Sequence, residues 1–215
     1  MAVTETGNET QEVPRRRGRP RRAAARAAII EATLELLAER GFQAATMDAI
    51  AARACVGKNT IYRRWCSKEE LIAASIRDLT AEVELKDGDD VYAILLEYVR
   101  DFAHVLADPL LGRILPGLLG ELQRNPELAA AWAERVVRPR RQAVAELLRQ
   151  ALRRGELRQG TDPDLIADLL VGPQFLRLLV PFGVSKVPSR YPQALLETVW
   201  HGIAPTEPVV ETERD

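Results

Sequence analysis

Between Gly57 and Trp65 the sequence sets Lys58, Asn59, Thr60, Tyr62, Arg63 and Arg64 within two helical turns, interrupted only by Ile61. Lysine can donate to guanine acceptors, asparagine can meet adenine in bidentate fashion, and threonine or tyrosine can reach a phosphate or a thymine methyl. A nucleotide-phosphate loop is excluded by spacing. It needs a glycine five residues before the Gly57-Lys58 pair and a hydroxyl after the lysine, where Ala52 and Asn59 stand. No nucleophile has a recognisable base nearby, so no enzyme is expected. The two cysteines, Cys55 and Cys66, and the two histidines, His104 and His201, are scattered; a zinc site from these types would consume all four. Neither a metal nor a cofactor is expected.

Charge places this polar set in a basic region. The chain of 215 residues carries a formal −1, yet residues 15–64 hold twelve Arg/Lys against Glu31, Glu35, Glu39 and Asp48. That net of +8 leaves −9 for the rest, a division expected of one polyanion-binding part and a separate body. The opening "MAVTETGNETQEVP" has no apolar core of a signal peptide, so cytoplasmic residence is expected. The most apolar stretch, Leu165 to Val180, contains Asp168, Arg177 and Gly172-Pro173 and falls short of a membrane span.

The elements that must position these residues are helical. Ala, Leu, Glu and Arg dominate and alternating runs are absent, which predicts an all-α fold. Ile30, Leu34 and Leu37 make one apolar stripe on a first helix from about Arg22 to Arg40, ended by Gly41. Thr46 can cap a short second helix, and a third spans about Lys58 to Trp65. Ser67 with Glu70 forms a capping box for a fourth helix, extending to about Val83. "KDGDD", residues 86–90, reads as a domain boundary. Later helices are predicted to start at Asp89 or Asp90, Asp108-Pro109, Asn125-Pro126 and Asp162-Pro163, with a last one from about Ser189 to Ile203. The divisions are then a basic, disordered arm over 1–21, a helix-turn-helix unit over 22–66, a connecting helix over 67–85, a helical body over 86–204 and a disordered tail over 205–215.

Two short helices joined by a tight turn, with Ile50, Ala51, Ala54, Val56 and Ile61 at their crossing, form a helix-turn-helix pattern. From Arg26 to Ile76, around "TMDAIAARACVGKNTIYRRWCSKEELIAASI", the chain resembles the DNA-binding domain of TetR-family transcriptional regulators. "GLLGELQRNPEL", "RRQAVAELL", "RGEL" and "DLLVGPQFLRLLV" resemble the carboxy-terminal domain of one branch of that family. The resemblance implies a homodimer of about nine helices per chain, most simply a repressor released from a palindromic operator by a small, apolar effector. Alternatives are a redox-responsive or ligand-independent regulator, or a small-molecule carrier or enzyme with an incidental basic end. It also implies that Lys58, Asn59, Thr60 and Tyr62 face the major groove and that Thr46, Arg64 and Lys68 hold phosphates, Lys68 with help from its helix N-terminus. Arg63 is either a further contact or part of a solvated face. Cys55 stands where glycine is usual, Gly57 replaces the usual serine cap, and Cys66 sits where proline is common. A side chain at 55 adds strain if the backbone is left-handed.

The arm Arg15 to Arg22 offers Arg17 and Arg19 to an A·T-rich minor groove. In the helical body Phe102, His104, Leu118, Trp132, Phe175 and Leu179 are candidates for a ligand cavity, or else core packing; Phe182 is read as packing. Trp65 is expected in the core. Leu169, Leu170, Phe175, Leu176, Leu195, Val199 and Trp200 are candidates for the dimer interface, on helices apolar nearly all round. Gly172-Pro173 is expected to kink the first of these. Cys55 and Cys66 flank the third helix, either as inert thiols or as a redox switch.

Overall fold

The computed structural model describes residues 19–79, 90–180 and 188–205, with side chains from Arg22 onward. Among these residues the chain is all-α. Helices α1 (Arg19–Ala44), α2 (Met47–Arg53), α3 (Lys58–Tyr62) and α4 (Lys68–Asp78) form the amino-terminal part. Helices α5 (Val91–Ala107), α6 (Pro109–Leu122), α7 (Pro126–Trp132), α8 (Arg138–Arg154), α9 (Pro163–Leu179) and α10 (Tyr191–Ile203) form the rest. A π-helical segment, Ala133–Val137, joins α7 to α8. No single described helix is long and apolar enough to cross a membrane. No described group of His, Cys, Asp and Glu could hold a metal ion.

The helix starts follow local chemistry. Thr46 accepts from the Ala49 N–H, Ser67 from Glu70, Asp90 from Tyr92, Asp108 from Leu110 and Leu111, Asn125 from Leu128, and Asp162 from Asp164 and Leu165. Each cap satisfies an amide that the first turn leaves without a carbonyl partner. Gly41, at φ 74°, breaks α1 after Arg40 as its sequence position predicts, and a short turn to Ala44 follows. Three expectations are corrected. α1 begins at Arg19 rather than Arg22, because Pro20 suits a first helical turn. α3 stops at Tyr62, short of Trp65. The π segment interrupts what the sequence read as one helix after Asn125-Pro126. Separately, α9 is helical from Pro163 to Leu179 with Pro173 inside it.

Two apolar clusters hold these elements. One gathers Ile29, Leu34, Leu37, Ile50, Ile61, Trp65, Leu71, Ile72 and Ile76, and runs on through Phe102, Leu118, Leu128 and Trp132. Helices α1 to α4 thus share a core with α5, α6 and α7. The second gathers Leu95, Val99, Val144, Leu148, Ile166, Leu170 and Leu196 from α5, α8, α9 and α10. A fully buried aliphatic side chain of this kind contributes about 1.5–3 kcal/mol, so these clusters dominate the favourable side of folding. Arg17, Phe182, the 86–89 part of the turn, the 80–83 end of the connecting helix and residues 206–215 lie outside the described residues.

Candidate nucleic-acid interface

α3 is only five residues long, so it stands because its neighbours anchor it. Ile61 is fully buried and Trp65 nearly so, which leaves the opposite face outward. On that face Lys58, Asn59, Tyr62, Arg63 and Arg64 are exposed and Thr60 is half-buried; half of Tyr62 is accessible. Gly57 caps α3 in extended backbone and has no side chain to accept from the first turn.

The surroundings fix this face by ion pairs and hydrogen bonds. Arg53 of α2 reaches back to α1, meeting Glu39 at 2.7 Å and Glu35 at 3.4 Å. The hydrogen bond from Arg53 holds the Glu39 carboxyl below its ordinary pKa. Lys58 pairs with Asp48 of α2. Arg64 donates to the Arg22 carbonyl at 3.0 Å, tying the end of this polar face to the first turns of α1. Cys55 sits in the turn at φ 53°, the only described non-glycine residue with positive φ. Both cysteines are free and exposed.

Of the expected phosphate holders, Thr46 is exposed with its hydroxyl engaged as the α2 cap. Lys68 differs from expectation. It is half-buried, donates to the Phe42 carbonyl at 3.2 Å and lies 3.8 Å from the Phe42 ring centroid, so its charge closes the α1–α4 corner instead of standing free. Arg19 opens helix α1, where the sequence reading put it in a disordered arm.

A cavity of about 90 Å³ lies among α5, α7, the π segment, α8 and α9. Tyr98, Phe102, Trp132, Val136, Val137, Arg140, Arg141, Ala167, Asp168, Val171 and Phe175 line it. Phe102 and Phe175 meet edge to face at 5.2 Å. Burial pushes the Tyr98 phenol above its ordinary pKa. The same desolvation pushes Arg140 down, opposed by Tyr98 and Asp101. Arg141 is engaged by Asp164 and Asp168, each at 2.8 Å.

Phe102, Trp132 and Phe175 therefore meet at one cavity, and three other candidates do not. His104 is exposed, because it follows Phe102 by two residues and so points about 200° away from the buried stripe. Leu118 is buried beside α1, along a cleft with Leu37 and Phe42. Leu179 is exposed at the end of α9. The sequence reading missed Tyr98, Val136, Val137, Arg140, Arg141, Ala167, Asp168 and Val171; only Tyr98, one turn before Phe102, carried a signal.

α9 also displays Leu165, Leu169, Leu176 and Leu179, each more than 40% accessible. Leu165 and Leu169 line a groove against Leu195 and Val199 of α10. Leu170 is fully buried in its own subunit, which overturns it as an interface residue. Phe175 turns to the cavity, and Trp200 packs edge to face on Tyr92 at 5.2 Å within the chain.

Residues 29–75 match the family model "Bacterial regulatory proteins, tetR family" and residues 85–199 match "Tetracyclin repressor-like, C-terminal domain". The uncharacterized HTH-type transcriptional regulator YdeS of Bacillus subtilis (strain 168) is 33% identical over 89% of this chain and 96% of its own. The solved TetR-family regulator SCO0332 is 33% identical with a TM-score of 0.65, over 84% of this chain and 99% of that one. The flavonoid-responsive regulator FrrA is 25% identical with a TM-score of 0.62, over 86% and 100%.

Proposed function

Because the chain belongs to the TetR family and is therefore a helix-turn-helix transcriptional regulator, we propose that it is a dimeric repressor. In this reading it is released from a palindromic operator by a small-molecule effector. The observation that carries the DNA half is the outward polar face of α3 over buried Ile61 and Trp65. Lys58, Asn59, Thr60 and Tyr62 read base edges while Arg63 and Arg64 meet phosphates. Two such helices enter successive major grooves about 34–36 Å apart on one duplex. The exposed leucines of α9 and the α9–α10 groove support the pairing of two copies through Leu165, Leu169, Leu176, Leu195 and Val199.

The aromatic cavity supports an effector site, and the flavonoid response of FrrA supports a largely apolar effector. At about 90 Å³ the cavity is smaller than the roughly 150 Å³ apolar cavity that admits benzene. An effector must therefore move its walls, and that displacement distinguishes the released state from the bound one. Complete reversal between the two requires about 5.5 kcal/mol of differential affinity.

The test is a gel shift with the palindrome that the wild-type protein selects from a random duplex pool. Lys58→Ala with Tyr62→Ala is expected to abolish specific binding while sedimentation still reports a dimer. Unchanged specific binding by the double variant would remove α3 as the reading helix.

A further inference from the structure

The π segment faces two ways. Trp132, immediately before it, and Val136 within it form part of the cavity wall. Arg135, from the same turn, forms an ion pair with Glu70 in the first turn of α4. The other carboxylate oxygen of Glu70 accepts from the Cys66 backbone N–H at 2.6 Å, and the Glu70 N–H donates to Ser67 Oγ at 3.1 Å. Cys66 follows Trp65, whose own N–H donates to the Ile61 carbonyl of the reading helix at 3.1 Å. A second tie runs in parallel: Asn125, the cap of α7, donates to Glu69 at 3.2 Å. The two glutamates that open α4 are thus held from the start of α7 and from the turn beyond its end.

We infer that Arg135 and Glu70 are positioning residues for DNA recognition, linking the cavity wall to the backbone directly after the reading helix. Two physical points favour a positioning role over a merely stabilising one. The pair is partly exposed, with side-chain accessibilities of 36% and 21%, and such pairs add little to fold stability. One carboxylate serves both Arg135 and the Cys66 N–H, and a hydrogen bond weakens as its angle departs from linear, so a wall displacement that turns the Glu70 carboxylate loosens the Cys66 amide. Single-turn π segments inside helices also recur at functional sites. The inference rests on the reading of the cavity as the effector site, and it assigns the route by which occupancy reaches α3.

The route can be tested with an occupant built into the chain. Ala167 is buried on the α9 wall, so Ala167→Phe places a ring in the cavity. Operator affinity is measured for this change in the wild-type background, with Arg135→Met, and with Glu70→Gln. The glutamine keeps a capping acceptor but loses the charge pair. Val171→Phe, from a second position on the wall, repeats the cycle should Ala167→Phe fail to fold by circular dichroism.

Ring insertion is expected to weaken operator binding by roughly tenfold in the wild-type background and by less than about twofold once the pair is cut, a coupling of the size neighbouring sites display. Arg135→Lys, which keeps the cation, is expected to restore part of the response. An equal loss in all backgrounds overturns the route while leaving the cavity as an effector site. No loss in any background, with folded protein, overturns both.

Discussion

α3 and α9 both leave residues uncovered, but of opposite kinds. α3 turns Lys58, Asn59, Tyr62 and Arg63 outward, whereas α9 turns out Leu165, Leu169, Leu176 and Leu179. The polar face is braced by Arg53 on Glu35 and Glu39, by Arg64 on the Arg22 carbonyl, and by the Thr46 and Ser67 caps. A surface that reads fixed base edges gains from being rigid before contact. Behind the apolar face stand a cavity and Gln174, whose buried Oε1 has no hydrogen-bond partner among the described residues. An unpaired buried acceptor costs about 1–3 kcal/mol, so the α9 end is the less fully satisfied of the two. The contrast fits the proposed division, with recognition at the stiff end and response at the yielding one.

The widest break in this contrast comes from charging the apolar face. Leu165→Glu with Leu176→Glu is expected to give monomers by analytical ultracentrifugation and to cost at least roughly 100-fold in operator affinity, since two tethered half-sites are lost. Retained helicity with a persisting dimer would refute α9 as the interface. Ile61→Ala addresses the other end: a destabilisation of roughly 2–5 kcal/mol is expected in denaturant unfolding, with dimerisation of the folded protein untouched. A cost below about 0.5 kcal/mol would mean that α3 is anchored elsewhere.

Cys55→Gly probes a strained position at the stiff end. Relief of the left-handed conformation outweighs the added freedom of the unfolded chain, and a gain of about 0.5–1 kcal/mol is expected in the same assay. A loss would show that the turn gains from the cysteine side chain.

The smallest effect is acid dependence at the yielding end. The hydrogen bond from Arg141 holds the Asp168 carboxyl below its ordinary 3.8. A lowered folded pKa favours the native state fully above the unfolded value, and that contribution fades as pH falls through the folded one. Between pH 6 and pH 3, wild type should therefore lose slightly more stability than Asp168→Asn; identical losses would count against the pair.

Legibility in the sequence followed distance along the chain. Thr46, Ser67, Asp108, Asn125 and Asp162 act within three residues of themselves, so their caps could be read directly. The Ile61 and Trp65 anchors were also visible, because burying them is what leaves the polar set of α3 outside. Lys68 on Phe42 and Arg135 on Glu70 join residues far apart in sequence, and nothing local announces them. The cavity was half legible for a different reason. Phe102, Trp132 and Phe175 stand out as aromatics, but Val136, Ala167 and Val171 have the composition of any core wall. Leu170 was misplaced because α9 is apolar on both faces, and only its packing separates the Ile166, Leu170, Gln174 stripe from the outward leucines.

The π turn between Trp132 and Arg138 has a bearing on how this chain tolerates length changes. A wide turn accommodates one residue beyond an ordinary helix while leaving both flanks in phase. Removing one residue there would relax the rod to uniform pitch and leave Val144 and Leu148 facing inward. The same deletion further along α8 would swing those side chains by about 100° into water. The bulge is thus the one splice point on that rod where a codon can be lost without scrambling everything downstream.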